Sequence, residues 1–366
     1  MVSRAKVLCG SLLILALLAP TLRGEWQDEG RPPAPDFQTK VWLNSTPLTL
    51  KELRGKVVLI DFWEYTCINC IRTFPYLRRW NALYGPLGLV VIGVHTPEFD
   101  FAKDPARVAD ATRRFKFTFP IAVDSDRRIW DAFNNDAWPA KYLIDKDGRI
   151  AYSHLGEGDY AEFERHIQQL LKEANPKLTF ASAKFDIPAD SREGGGVCQE
   201  ATPETYLGFT RGDRIANQDG YKPLTEAAYQ DPGNLMANEY ALSGRWLAAP
   251  EYVRHVGSST NLGDDYLDLK YRAKTVYLVA GSDDGSPKPL YVTEDGKPLP
   301  KDSRGVDVKI DSSGRTYIEL GAKRMYYVVN NPHFEQHTLR LSATAPAISL
   351  YSFTFGNECE NAFDHS

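Results

Sequence analysis

VVLIDFWEYTCINC, residues 57–70, is an apolar run rich in β-branched residues that ends just before two cysteines held two residues apart. A strand followed at once by Cys67-x-x-Cys70 and a new helical period puts both thiols at the first turn of a helix. There they can close a small disulfide ring, and the positive end of the helix favours the thiolate of the first. Zinc would need two further ligands, and neither Cys198 nor Cys359 brings a partner at ligand spacing. A purely structural disulfide is the other alternative, but so small a ring at a helix start is strained and exchangeable. The spacing predicts thiol–disulfide exchange with no metal and no added cofactor, the Cys67–Cys70 disulfide itself being the redox group.

The flanking residues extend this reading. Asp61 lies inside the apolar strand, where a carboxylate needs a reason, and its spacing makes it a candidate proton acceptor for the inner thiol. From Cys70 to about Tyr84 the pattern predicts an amphipathic helix, with Ile71, Phe74, Leu77, Trp80 and Leu83 on one face and Arg72, Arg78 and Arg79 on the other. Farther on, Trp138-Pro139 leads into KYLIDKDGRIAYSHLG, two strands joined by a turn at Asp147-Gly148, and a cis peptide fits before such a strand.

The strand DFW, the C-x-x-C, Pro75 five residues after the second cysteine and Pro139 before a hairpin together resemble the thioredoxin superfamily. Within it, FWEYTCINCIRTFPYL, GLVVIGVHTPEF, WPAKYLID and GEGDY are similar to the TlpA-like redox domain in the C-terminal part of DipZ-family cytochrome c biogenesis proteins. TPETYLG, ANEYALSGRW, YRAKTVYLVAG and SFTFG resemble the sandwich module that follows it, itself similar to a carbohydrate-binding module. The resemblance implies that Cys67 is the attacking cysteine, Cys70 the resolving one, Asp61 the buried carboxylate and Pro139 the cis-proline, which also keeps metals off the dithiol. Thr66, Ile68, Asn69 and Trp138 are then the expected substrate contacts, and a membrane thiol carrier of the CcdA or DsbD type the expected electron donor. Thr66 and Ile68-Asn69 depart from the Trp and Gly-Pro of thioredoxins, which leaves the redox potential open.

With 366 residues, two domains are expected. The fold class predicted is an α/β thioredoxin-like domain over residues 25–178, a linker at 179–198 with Pro, Gly and Ser content, and an all-β, jelly-roll-like sandwich over 199–366. Residues 1–24, with Arg4, Lys6 and an apolar run from about Val7 to Ala19, have the layout of a secretory signal peptide, an uncleaved anchor being the alternative. Export to a periplasmic or other extracytoplasmic space follows. There Cys198 and Cys359 are expected to form a structural disulfide, two free thiols being the alternative. A net charge of −5 with interspersed signs gives no broad basic surface for nucleic acid, and the pairs Arg78-Arg79, Arg113-Arg114 and Arg127-Arg128 read as solvated faces.

Protein thiols or disulfides are the expected substrates. A redoxin-type thiol peroxidase is one alternative, weakened because the P-x-x-x-T/S-x-x-C frame is missing before Cys67. A glycan-binding cell-envelope protein with a secondary redox domain is another, with Trp246, Tyr252, Tyr277, Tyr291, Tyr326 and Tyr327 as rings that stack on sugars or, more simply, fill the core. The sandwich equally well docks a protein. His95 at a strand end, Glu64 beside the dithiol and Asp159 as a helix N-cap carry less weight.

Overall fold

The computed structural model describes residues 30–180, 201–259 and 261–356. The expected leader, most of the linker and the pair Cys198–Cys359 lie outside these residues. Among the described residues no helix is long and apolar enough to cross a membrane.

The first unit is a six-stranded sheet made of β1 (Trp42–Leu43), β2 (Val57–Trp63), β3 (Leu89–His95), β4 (Ile121–Val123), β5 (Ala140–Ile144) and β6 (Ile150–Leu155), in the order β1-β4-β3-β2-β5-β6. β2 pairs parallel with β3 and antiparallel with β5, so it is central and buried along its whole length. That explains why VVLIDFW is almost continuously apolar rather than alternating. Its side chains divide by parity: Val57, Leu59 and Trp63 join the core under α1 (Ile68–Tyr84), α2 (Pro105–Arg114) and α4 (Tyr160–Ala174). Val58, Ile60 and Phe62 join the core on the other face, under α3 (Arg128–Ala132). Asp61 shares the parity of Leu59 and Trp63 and therefore faces α1, the helix that carries Cys70.

α1 begins two residues earlier than its apolar period suggests and buries Phe74, Leu77 and Trp80, each contributing about 1.5–3 kcal/mol. Leu83, expected on the same face, is exposed, and Pro75 sits inside the helix. Asp159 does precede α4, but in a left-handed conformation with no side-chain capping bond.

The second unit is all-β, as expected. β7 (Thr205–Tyr206), β8 (Glu226–Tyr229), β9 (Tyr240–Ala248), β10 (Val253–His255), β11 (Tyr266–Ser282), β12 (Lys288–Glu294), β13 (Lys297–Pro298), β14 (Val308–Ile310), β15 (Thr316–Leu320), β16 (Arg324–Ala343) and β17 (Ile348–Gly356) form one antiparallel network. β11 pairs with β9 over its first residues and with β17 over its last, while β9 and β17 both pair with β10, so those four strands close on themselves around the core. Trp246, Tyr277 and Tyr326 are buried, and the Trp246 indole donates to the Ser243 carbonyl at 2.7 Å. They are packing residues rather than open platforms.

A separate apolar cluster joins the two units. Ile68 and Phe99 from the first pack against Tyr277, Val279, Met325 and Tyr351 from the second, with Tyr252 and Tyr327 partly buried beside them.

Candidate active site

The turn out of β2 makes Cys67 the N-cap of α1. Its sulfur accepts the Cys70 backbone N–H at 3.2 Å, which satisfies one of the otherwise free amides of the first turn. Both cysteines are free thiols; Cys67 is partly exposed and Cys70 fully buried. The Trp138 carbonyl lies 4.0 Å from the Cys67 sulfur, and the Trp138–Pro139 peptide is cis. Trp138 is fixed by its indole donating to the Thr96 carbonyl at 3.1 Å and by the Arg127 guanidinium over its ring. Arg127 is thus a stacking residue rather than part of a solvated face.

The helix end does not decide the Cys67 charge. Burial pushes its thiol well above the usual range, the Cys70 thiol and the Glu98 carboxylate add to the rise, and the Cys70 N–H opposes it. Burial likewise raises the Cys70 thiol; hydrogen bonding with Cys67 and with the Glu64 backbone opposes the rise, and the Asp61 and Glu64 carboxylates add to it.

Asp61 is completely buried, and burial raises its carboxyl from 3.8 to about 7 in spite of Lys141. Lys141 is the residue directly opposite on β5, its ammonium 3.6 Å from the carboxylate and itself 1% exposed. Among the described residues neither group has a hydrogen-bond partner at normal distance, so this is a buried ion pair held slightly open on the α1 side of β2. The pair was half legible: Asp61 stood out in an apolar strand, and Lys141 is the matching anomaly in AKYLI.

Glu64 does not face water. It is fully buried, its carboxylate accepts from the Thr66 amide at 2.5 Å and from the Thr66 hydroxyl, and its other oxygen is 3.7 Å from His95 Nε2. His95 is also fully buried, stacked on Tyr65 and edge-on to Trp63. Thr66 is consumed in this turn and Ile68 lies under the second unit, so neither presents the open contact expected of it. Cys67, Asn69 and Trp138 remain partly exposed.

What the sequence reading missed is the share of the second unit. Tyr206 donates to Glu98 at 2.7 Å and Arg211 pairs with the same oxygen at 3.0 Å, which holds a buried carboxylate across the seam near Cys67. Arg72, expected in solvent, lies between Glu157 at 3.3 Å and the Tyr277 ring. No periodicity signals such contacts, because their partners are more than 80 residues away in sequence.

Residues 29–169 match the Redoxin family and residues 202–356 the family described as thioredoxin-like C-terminal domain. The chain is 35% identical to Protein DipZ of Mycobacterium tuberculosis over 329 residues, 88% of this chain and 43% of the relative, so it spans less than half the length of that protein. Thiol-disulfide oxidoreductase YkuV of Bacillus subtilis is 32% identical over 145 residues, 39% of this chain and 97% of YkuV. The solution structure of a thioredoxin-like protein in the oxidized form is 32% identical, covers 39% of this chain and 97% of its own, and has a TM-score of 0.36.

Proposed function

The chain belongs to the thioredoxin-like thiol-disulfide oxidoreductases, and from that membership we propose that it reduces disulfides in partner proteins outside the cytoplasm through Cys67 and Cys70. The observation that carries this reading is a partly exposed sulfur at the tip of α1, hydrogen-bonded to the amide of a second, buried cysteine and bordered by the cis Trp138–Pro139 peptide.

The Cys67 thiolate attacks the partner's disulfide, that S–S bond breaks, and the first partner sulfur leaves as a thiolate that takes up a proton. Asp61 then accepts the proton of Cys70, directly or through water. The Cys70 thiolate attacks the Cys67 sulfur of the mixed disulfide, and the second partner thiolate departs. Two electrons pass to the partner and a Cys67–Cys70 disulfide remains. Its reduction calls for a thiol donor, in this proposal a membrane carrier of the CcdA or DsbD type, with cytochrome c biogenesis as one setting. The reducing direction is supported by the surroundings of Cys67, which withhold the thiolate stabilisation that makes a dithiol oxidising. Export rests on the signal-like composition of residues 1–24.

Equilibration of the purified chain with redox buffers tests the proposal. A single two-electron couple is expected, more reducing than the glutaredoxin range of about −200 to −230 mV and abolished in Cys67→Ser. Cys70→Ser is expected to accumulate a mixed disulfide with protein substrates. Rapid peroxide consumption without such a couple would replace exchange by peroxidase chemistry.

A further inference from the structure

A cleft of about 820 Å³ opens between α1 and the second unit, beginning at the residue next to the nucleophile. Along one wall, Ile68, the neighbours Ile71 and Arg72, Pro75 and Arg78 recur every three or four residues and so share a single face of α1. Ten residues of helix put Arg78 about 15 Å from Ile68, the reach of four or five residues of extended chain. Tyr277 and Tyr327 form the opposite wall, and Val306, 88% exposed, stands on the rim.

The charge of this cleft is of one sign. Arg72, Arg78, Arg114, Lys116 and Arg304 line it with no carboxylate among the lining residues, on a chain whose net charge is −5. Arg72 is neutralised by Glu157. Arg78 and Arg304 donate to the backbone carbonyls of Phe115 and Leu299, and Arg114 lies over the Phe115 ring. Among the described residues none of these three, nor Lys116, has a carboxylate within ion-pair distance.

Building on the exchange reading above, we propose that this cleft receives an acidic segment of the disulfide-bearing partner, an extended run of Asp or Glu next to the reacting cysteine with an apolar side chain against Val306. The first unit supplies the chemistry, and the seam between the units supplies the choice of substrate. Opposite charge across such a channel raises the encounter rate and is screened by salt.

The full chain, reduced, is assayed with disulfide-bonded peptides that differ only in the flank of the cysteine, which is glutamate, glutamine or lysine. Hydroxyethyl disulfide, small and uncharged, is the control. The glutamate peptide is expected to exceed the glutamine peptide by about fivefold in kcat/KM, the lysine peptide to fall below both, and the differences to shrink as ionic strength rises. Arg114→Glu with Lys116→Glu, both at exposed positions, is expected to reverse the order while hydroxyethyl disulfide is reduced at the unchanged rate. Equal rates for the three peptides, or an order that survives the double variant, overturn the proposal. Failure to reduce even hydroxyethyl disulfide overturns the exchange reading instead. A labelled glutamate peptide lacking cysteine, followed by fluorescence anisotropy on Cys67→Ser, examines the cleft independently of the chemistry. Saturable binding lost in the double variant supports it, whereas absence of binding, or displacement by inorganic phosphate at the same concentration as by unlabelled peptide, refutes it.

Discussion

At the scale of single residues, the site is governed by burial more than by the helix end. Asp61 is a proton acceptor only when ionised, so the release of the mixed disulfide is expected to accelerate as pH rises through about 7 and to lose this dependence in Asp61→Asn. Lys141 holds the carboxyl down, and Lys141→Met should move the inflection to higher pH in a stopped-flow profile; an unmoved inflection would contradict the pairing. The same group affects stability. Because Asp61 binds its proton more tightly folded than unfolded, its contribution is fully present below 3.8 and is lost as pH rises through about 7. Urea midpoints of Asp61→Asn should therefore vary less over that range than those of the parent. The catalytic pair and Asp61 were readable from the sequence because each breaks a local rule, a charge in an apolar strand and two thiols at exchange spacing. Lys141 breaks the same rule, but its meaning depends on the register between β2 and β5, which appears only on folding.

At the scale of elements, β2 and α1 act as one device: the strand delivers the dithiol and the helix caps it. β3 beside them leaves no slack. A Cβ on Gly93 would stand 2.7 Å from Ile121 Cδ1 and 2.9 Å from the Trp63 indole nitrogen, and Trp63 borders the His95 ring. Gly93→Ala is therefore expected to cost about 1–3 kcal/mol in urea unfolding, with the Glu64–His95 contact disturbed along with it. The alternation of elements in the first unit and the short strands of the second were legible, since hydrophobic period and turn residues are local signals. The full length of β16 was not, because Asn331-Pro332 reads as a break between two runs, whereas the strand continues through it with a shift of register against β11.

At the scale of the molecule, the two units share an apolar contact beside the active site. An unpaired charge there is costly, so Met325→Asp, at a position 2% exposed, is expected to loosen the contact. Hydrogen exchange should then quicken at the first turn of α1 but not in α4, and equal protection in both would argue against a mechanical link. The seam also bears on how the chain can be dissected. Ile68 and Phe99 are buried, and Phe101 partly so, because the second unit covers them. A fragment ending after α4 would present these greasy residues beside a reactive sulfur, and such fragments should self-associate and cross-link through Cys67 unless polar substitutions are introduced where the missing half once lay.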